Sequence, residues 1–514
     1  MIEVEVLNSS VSDIEADAVL TGVFEDDCTA ERLCGRDEKF KYMVKDLIEE
    51  GEINGKLAVT TLVHSRGEIK PGRILVVGLG KKENLSLDRL RGMAAVSGRL
   101  LRDIQCQKIG IHLGFLPPGF RYKDTAMAVI EGFFLGQYSF TKYRHEEKKP
   151  EVKKFGIYFP EEIKFDGDLI SQAIRTGAFI AKATNLSRDL CNEPANVLTP
   201  VRLGKIAGKL AEEYGLKAHI IDEKEMQSLN MNLLLAVSRG SKEAPRLIVL
   251  EYRGAGEGKP VYGLLGKGVT FDSGGVSLKD QTAMNHMHLD KTAGAVVIGI
   301  LAALSSLKVK INLTGVIPAV ENMPGGNAYK PGDIIKAMSG KTVEITNTDA
   351  EGRLIMADSL TYMQQILKIG NIIDFATLTG GSKTALGTDI IPVFSRYKDM
   401  VDLFRESCWH SGEVCWEMPL YRNYLKLLKS HVADIKNMVK DSPSTLLGAL
   451  FLGEFIENNT EWMHLDIGGH EFREEEFSYQ AYGATALGMR SLIRYYLHLA
   501  GEDIGTDMKD WKIF

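Results

Sequence analysis

The sequence predicts an α/β protein of two domains: a smaller N-terminal α/β domain and a larger C-terminal one whose central mixed sheet is covered by helices. Short apolar runs alternate with helical patterns along most of the chain, as expected of sheets flanked by helices. At 514 residues the chain exceeds what one hydrophobic core normally supports. A long helical pattern over residues 168–191 stops at Asn192-Glu-Pro194, because proline disfavours helix in the residue before it, and it separates two series of strands. The expected boundaries are 1–165, a connecting helix over 166–191, and 192–514.

In the first domain, residues 2–7, 18–23, 57–64, 73–78, 108–113 and 154–159 read as strands, and helical periodicity covers 85–105 and 123–136. Ile74-Leu-Val-Val-Gly-Leu-Gly-Lys81 is a strand running into Gly-x-Gly. Glu83 stands where the third glycine of a dinucleotide fingerprint belongs, so a simple strand-to-helix turn is expected. The charged run 144–154 reads as a solvated loop. In the second domain, strands are expected at 216–221, 247–252, 261–265, 310–316, 372–376 and 462–466. Helices are expected at 200–214, 293–306, 354–369, 400–411 and 484–499.

An apolar content of 44% excludes a disordered chain. The net charge of −6 and the lack of a basic block argue against nucleic acid as the main partner. Six scattered cysteines without a CxxC suggest reduced thiols of a cytoplasmic protein. Met1-Ile-Glu-Val-Glu-Val lacks the basic and apolar regions of a signal peptide. No uncharged apolar stretch reaches the roughly 18 residues of a membrane span.

The chemistry concentrates in the second domain. The run 261–265 reads as a buried strand that delivers Lys267, Asp272 and Lys279 to its end, where open α/β sheets place ligands. Asp290 follows Met284-Asn-His-Met-His-Leu, and Asp349 and Glu351 form a second acidic pair. Two apart, these last two would point the same way in an extended loop. Four carboxylates suit hard divalent cations, and bridging carboxylates suit a pair of them. Spacing alone leaves plainer readings open. Thr348 with its acidic neighbours suits a helix N-terminus, Asp272 beside glycines suits a turn, and Lys267 suits a surface charge. No His-Glu-x-x-His occurs, and His286 and His288, two apart, suit a loop better than a zinc site.

Gly266-Lys-Gly-Val-Thr-Phe-Asp-Ser-Gly-Gly-Val-Ser-Leu-Lys279 and Asn347-Thr-Asp-Ala-Glu-Gly-Arg-Leu354 resemble the two signature stretches of the leucyl aminopeptidases, two-metal peptidases of the cytosol. Asn192-Glu-Pro-Ala-Asn-Val-Leu-Thr-Pro200, Glu321-Asn-Met-Pro324, Lys330-Pro-Gly-Asp333, Ala376-Thr-Leu-Thr-Gly380 and His464-Leu-Asp-Ile-Gly468 agree with it, so the resemblance covers most of 185–500. In that family the first domain is a smaller, macro-domain-like α/β unit. The resemblance implies that Lys267, Asp272, Asp290 and Glu351 hold a tightly bound metal. Asp272, Asp349 (also through its carbonyl) and Glu351 would hold an exchangeable one. The ions would be zinc or manganese, with magnesium and cobalt as alternatives. Lys279 and Arg353 would be catalytic, with bicarbonate on Arg353 as general base. Met287, Thr377 and Gly380 would line the pocket for the first side chain. The implied activity is removal of an N-terminal, leucine-like residue from peptides by a homohexamer.

Two stretches depart from the family pattern. Asp290-Lys-Thr-Ala-Gly-Ala295 puts Lys291 beside a metal ligand: an extended backbone would turn its side chain away, and any other would set its charge against the metals and weaken the site. Asp441-Ser-Pro-Ser-Thr-Leu-Leu-Gly-Ala449 replaces a glycine-rich stretch at the pocket. Two other functions stand as alternatives. A two-metal phosphoesterase would normally recruit histidines, and a DNA-binding role, which some members add, would need a basic groove.

Overall fold

The computed structural model describes residues 3–145, 152–457 and 459–502. Residue 2 and most of the charged run 144–154 lie outside them. The chain forms two compact units, Met1–Lys182 with Glu475–Tyr482, and Ala183–Glu474 with Gly483–Phe514.

In the first unit β1 (Glu3–Asn8), β2 (Ala18–Val23), β3 (Thr60–His64), β4 (Arg73–Gly78), β5 (Lys108–His112) and β6 (Lys154–Phe159) form one sheet in the order β1-β6-β5-β2-β4-β3. All neighbours are parallel except β3 with β4. Helices Leu87–Asp103 and Tyr122–Gly136 pack on it, as periodicity predicts, and Glu38–Glu49 adds a helix that was not expected. A Cβ at Gly78 would fall 1.9 Å from the Lys56 carbonyl oxygen. Close approach of backbone thus explains the first glycine of Gly-x-Gly without any nucleotide. In the same unit the Tyr479 hydroxyl donates to Asp88 Oδ1 at 2.7 Å.

The second unit is organised by a larger mixed sheet. Its strands are β7 (Lys217–Ile221), β8 (Arg246–Arg253), β9 (Val261–Gly266), β10 (Gly268–Asp272), β11 (Asn312–Asn322), β12 (Asn371–Ala376), β13 (Ile390–Ser395), β14 (Val414–Glu417) and β15 (Glu461–Asp466). The order is β14-β13-β15-β12-β9-β11-β8-β7, with β10 also on β11. The central strands β15, β12, β9 and β11 run parallel, while β13, β8 and β7 bring the antiparallel pairings.

β11 runs past the expected stop at 316 through Pro318 to Asn322, pairing first with β9 and then with β10. Pro318, which lacks an N–H, falls opposite Lys267, where that ladder is interrupted, so proline is tolerated there.

One further expectation changes, and two segments need separate mention. The helix expected over 484–499 is only Met489–Leu499, since Gly488 is left-handed and Gly483–Ala484 pairs with Phe472–Arg473 as a short strand. Ser444–Gly453 is a helix with little amphipathic contrast, buried along most of its length. The segment Met287–Ser306 is long and apolar enough by composition to cross a membrane, but it lies buried in this unit as a core helix.

Candidate active site

The carboxyl ends of the parallel strands gather along one edge of the second unit's sheet. Lys267 follows β9, Asp272 ends β10, Asn322 ends β11, Thr377 follows β12 and Asp466 ends β15. Glu351 sits immediately before the helix Gly352–Gln365, and Asp290 lies in a 3-10 turn, Met287–Lys291, before the core helix.

Lys267 leaves the ladder and turns inward. Its Nζ lies 2.9 Å from Asp290 Oδ1 and 2.8 Å from Glu351 Oε1, and donates to the Thr377 carbonyl at 2.8 Å. A Cβ on Gly352 would fall 2.9 Å from this Nζ, so a larger residue there would press on the lysine's end. Lys279 Nζ lies 2.9 Å from Asp272 Oδ2 and 2.5 Å from Asp349 Oδ1. The site is thus two carboxylate pairs, each bridged by one lysine.

Burial lowers the pKa of both lysines, but the surrounding carboxylates outweigh it and hold both above the ordinary lysine range. Burial pushes Asp272 and Asp290 up, with Glu351 adding repulsion to each. Asp349 is raised to about 6 by burial and by Asp272. Burial also acts upward on Glu351, but its contact with Lys267 leaves it below the ordinary range. A cluster with this excess of negative charge favours bound cations.

The donor set fits metal ions. Oxygen atoms of Asp272, Asp290 and Glu351 lie within 4.8 Å of one another. Asp290 Oδ2 and Glu351 Oε2 are buried without a hydrogen-bond partner, which is costly unless something else satisfies them. Neither His286, stacked on Phe472 at 4.0 Å, nor His288 belongs to this group.

Asp349 and Glu351 do not share an extended loop. Residues 348–349 form a turn and Glu351 is already helical in φ and ψ. Thr348 caps no helix; its Oγ1 donates to the Gly274 carbonyl at 2.6 Å and accepts the Ser277 N–H at 2.8 Å. Arg353, in the first turn of the helix Gly352–Gln365, has a buried guanidinium. Nη1 donates to the Asn437 carbonyl at 2.8 Å, Cζ lies 5.9 Å from the Phe451 ring centre, and Nε has no partner. Burial lowers its pKa to about 10.

The expected pocket residues differ in role. Thr377 donates its hydroxyl to Asp290 Oδ1 at 2.6 Å, while Met287 is half-buried and Gly380 exposed at a helix start. Lys291 lies in the 3-10 turn, not in an extended segment, yet it does turn away. Its buried Nζ donates to the carbonyls of Cys191 (3.0 Å), Glu193 (2.9 Å) and His288.

Several residues without a prior role support the site. Asp466 accepts the N–H groups of Leu378 and Thr379 and the hydroxyls of Thr379 and Thr445, and so holds the loop that carries Thr377. Thr445 belongs to the divergent stretch 441–449, which therefore packs beside this loop. Asn437 accepts the Thr346 N–H and donates to the Asn347 carbonyl at 2.7 Å. Of these, Asp466 lies in His464-Leu-Asp-Ile-Gly468 and Thr445 in the divergent stretch 441–449, whereas no motif marks Asn437.

Carboxylates and lysines gathered at the ends of parallel strands, with buried carboxylate oxygens left unsatisfied, suit a metal-dependent hydrolase. A family model described as the cytosol aminopeptidase family, catalytic domain, matches residues 185–493, and that family's N-terminal domain matches 20–147. The chain belongs to the cytosol aminopeptidase family. A probable cytosol aminopeptidase of Geotalea uraniireducens is 40% identical over 460 residues, 89% of this chain and 92% of that one. One from Aquifex aeolicus is 39% identical, covering 83% and 85%. Among solved structures, a mutant of tomato leucine aminopeptidase matches with a TM-score of 0.86 at 28% identity, covering 97% of both chains. A bottromycin maturation enzyme, BotP, in complex with manganese matches at 0.83 and 30%, covering 94% of this chain and 100% of that one.

Proposed function

We propose that this aminopeptidase removes a leucine-like N-terminal residue from peptides using two divalent cations. The carrying observation is the double bridge, with Lys267 between Asp290 and Glu351 and Lys279 between Asp272 and Asp349. Lys267, as the neutral amine left when nearby dications displace its proton, would hold the tight ion together with Asp272, Asp290 and Glu351, and Asp272, Asp349 and Glu351 would hold the exchangeable one. Bound cations of this kind supply Lewis-acid polarisation and a water nucleophile at neutral pH. Zinc or manganese is favoured; a relative of this fold was solved with manganese.

The chain's own groups do the rest. The Lys279 ammonium, held charged by the carboxylates around it, would donate to the oxygen of the scissile carbonyl as negative charge develops. The Arg353 guanidinium makes no ion pair among the described residues and keeps Nε unpartnered, so it suits a planar carboxylate-like anion. It would hold a bicarbonate, which would supply the general base. Met287 and Gly380 would border the first side chain, and Thr377 would hold Asp290 in place while lining the same pocket. A cytoplasmic location and a homohexameric assembly belong to the same proposal and rest on the family resemblance alone.

The test is metal-stripped enzyme refilled with zinc, manganese, magnesium or cobalt and assayed on a panel of aminoacyl amides. Leucine amide should lead the panel, and activity should rise with up to two ions per chain. Full activity in the stripped protein, or with a single ion, would overturn the two-cation reading.

A further inference from the structure

The stretch 346–350 carries Asp349 and leads into Glu351 without forming regular secondary structure. Side chains from elsewhere meet its carbonyls. Asn322, at the end of β11, is fully buried and directly opposite Asp272 in the parallel ladder. Its Nδ2 donates one hydrogen to Asp272 Oδ1 at 2.8 Å and the other to the Thr348 carbonyl at 2.9 Å. Both neighbours are pure acceptors, so the amide has only one workable orientation. Its backbone carbonyl accepts both the N–H (3.0 Å) and the hydroxyl (2.7 Å) of Ser273. The Tyr329 hydroxyl also donates to the Thr348 carbonyl, at 2.7 Å.

Asp272 and Asp349 come from segments far apart in sequence, and one amide group joins the two. With Oδ1 of Asp272 occupied by Asn322 and by the Gly274 N–H at 2.9 Å, Oδ2 is the oxygen turned toward Lys279. We propose that Asn322 is a positioning residue. It fixes the rotamer of Asp272 and the path of the Asp349 loop, so that both carboxylates are set for cation binding before any cation arrives. This rests on the reading of Asp272 and Asp349 as metal-holding residues. Hydrogen-bond partners of ligating carboxylates commonly contribute about 10- to 100-fold to metal affinity.

The experiment compares wild type, Asn322→Ala, Asn322→Thr and Tyr329→Phe in chelator competition with manganese alone as the probe, alongside thermal melts and activity at rising manganese. Asn322→Ala should release the more weakly held ion at about 10-fold lower chelator. Its kcat should return to within a few-fold of wild type at excess manganese, because the ligands remain. Asn322→Thr, with one hydroxyl donor and a strand-compatible shape, should lie between, and Tyr329→Phe should shift least. Should Asn322→Ala not fold, Asn322→Thr and Tyr329→Phe still decide the matter, each expected to weaken manganese retention. Lowered melting with chelator midpoints equal to wild type would overturn the proposal and make Asn322 a packing residue. Asp349→Asn separates the two layers: if it keeps both ions, the ligand assignment fails, whereas if it loses one while the Asn322 variants lose none, only the positioning role fails.

Discussion

Lys267 and Lys279 each bridge two carboxylates, yet their surroundings differ. Around Lys267 the side chains are 3–6% exposed, and the ammonium is enclosed by Asp290, Glu351 and the Thr377 carbonyl. Around Lys279 the lysine is 14% and Asp349 33% exposed, while Asp272 is buried at 4%, so this half opens on the Asp349 side. A sealed carboxylate cluster cannot regain water when its partner cation leaves, so its cation is costly to remove. An open pair can exchange charge with solvent. The enclosed half therefore suits a resident ion and the open half an exchangeable ion and the substrate.

The sharpest break of this comparison is Glu351→Gln. An amide cannot neutralise cations or pair with Lys267, so this variant should lose metal and nearly all activity. Metal analysis checks it; an active variant holding two tight ions would show that the enclosed half does not depend on Glu351. Next, Lys279→Ala should keep both ions, because Lys279 is not a ligand in this reading. Its turnover should fall about 10²–10³-fold, equally in kcat and kcat/KM, the usual cost of removing one donor to a developing oxyanion. Arg353→Ala should also keep its metals but lose less, since solvent can partly replace the held base. Rate measured against bicarbonate should be flat in this variant, and an unchanged bicarbonate response would remove Arg353 from the mechanism.

A smaller effect sharpens the contrast between the halves. Burial and Asp272 raise Asp349 to about 6, so protons compete for it over an accessible range. As the group is charged above that pH and neutral below it, retention of the exchangeable ion should strengthen as pH rises through about 6 and level off beyond. Chelator competition across that range checks it, and Asp349→Asn should lack the step. The smallest effect on catalysis is expected at Lys291→Met. Its Nζ faces three carbonyls away from the carboxylates, so turnover should stay within a few-fold. Leaving buried carbonyls without a donor should cost about 1–3 kcal/mol, read as a lower Tm. A large gain in metal affinity would instead mean that Lys291 opposes the cations.

Much of the molecule is legible in the sequence because its signals are local. Strand and helix alternation, the stop at Pro194 and the stretches around Asp272 and Glu351 each depend on neighbours a few residues apart. The misreadings came where local pattern and environment part. Ser444–Gly453 is enclosed on nearly all sides and so lacks the amphipathic period that marks a surface helix. The pattern over 484–499 runs through a left-handed Gly488, and the helix starts only after it.

By itself the sequence determined the α/β class, the family and the chemical types of the site, since composition, periodicity and contiguous motifs suffice for these. Only the tertiary structure decided which lysine bridges which carboxylates, that Lys291 turns away, that Thr377 serves Asp290, and that Asn322 and Asn437 hold the loop before Glu351. Asn437 meets Asn347 across 90 residues of chain. Such contacts arise because parallel strands bring their carboxyl ends together from distant segments, and each hydrogen bond then depends on strand register and backbone path, which no local run of residues encodes.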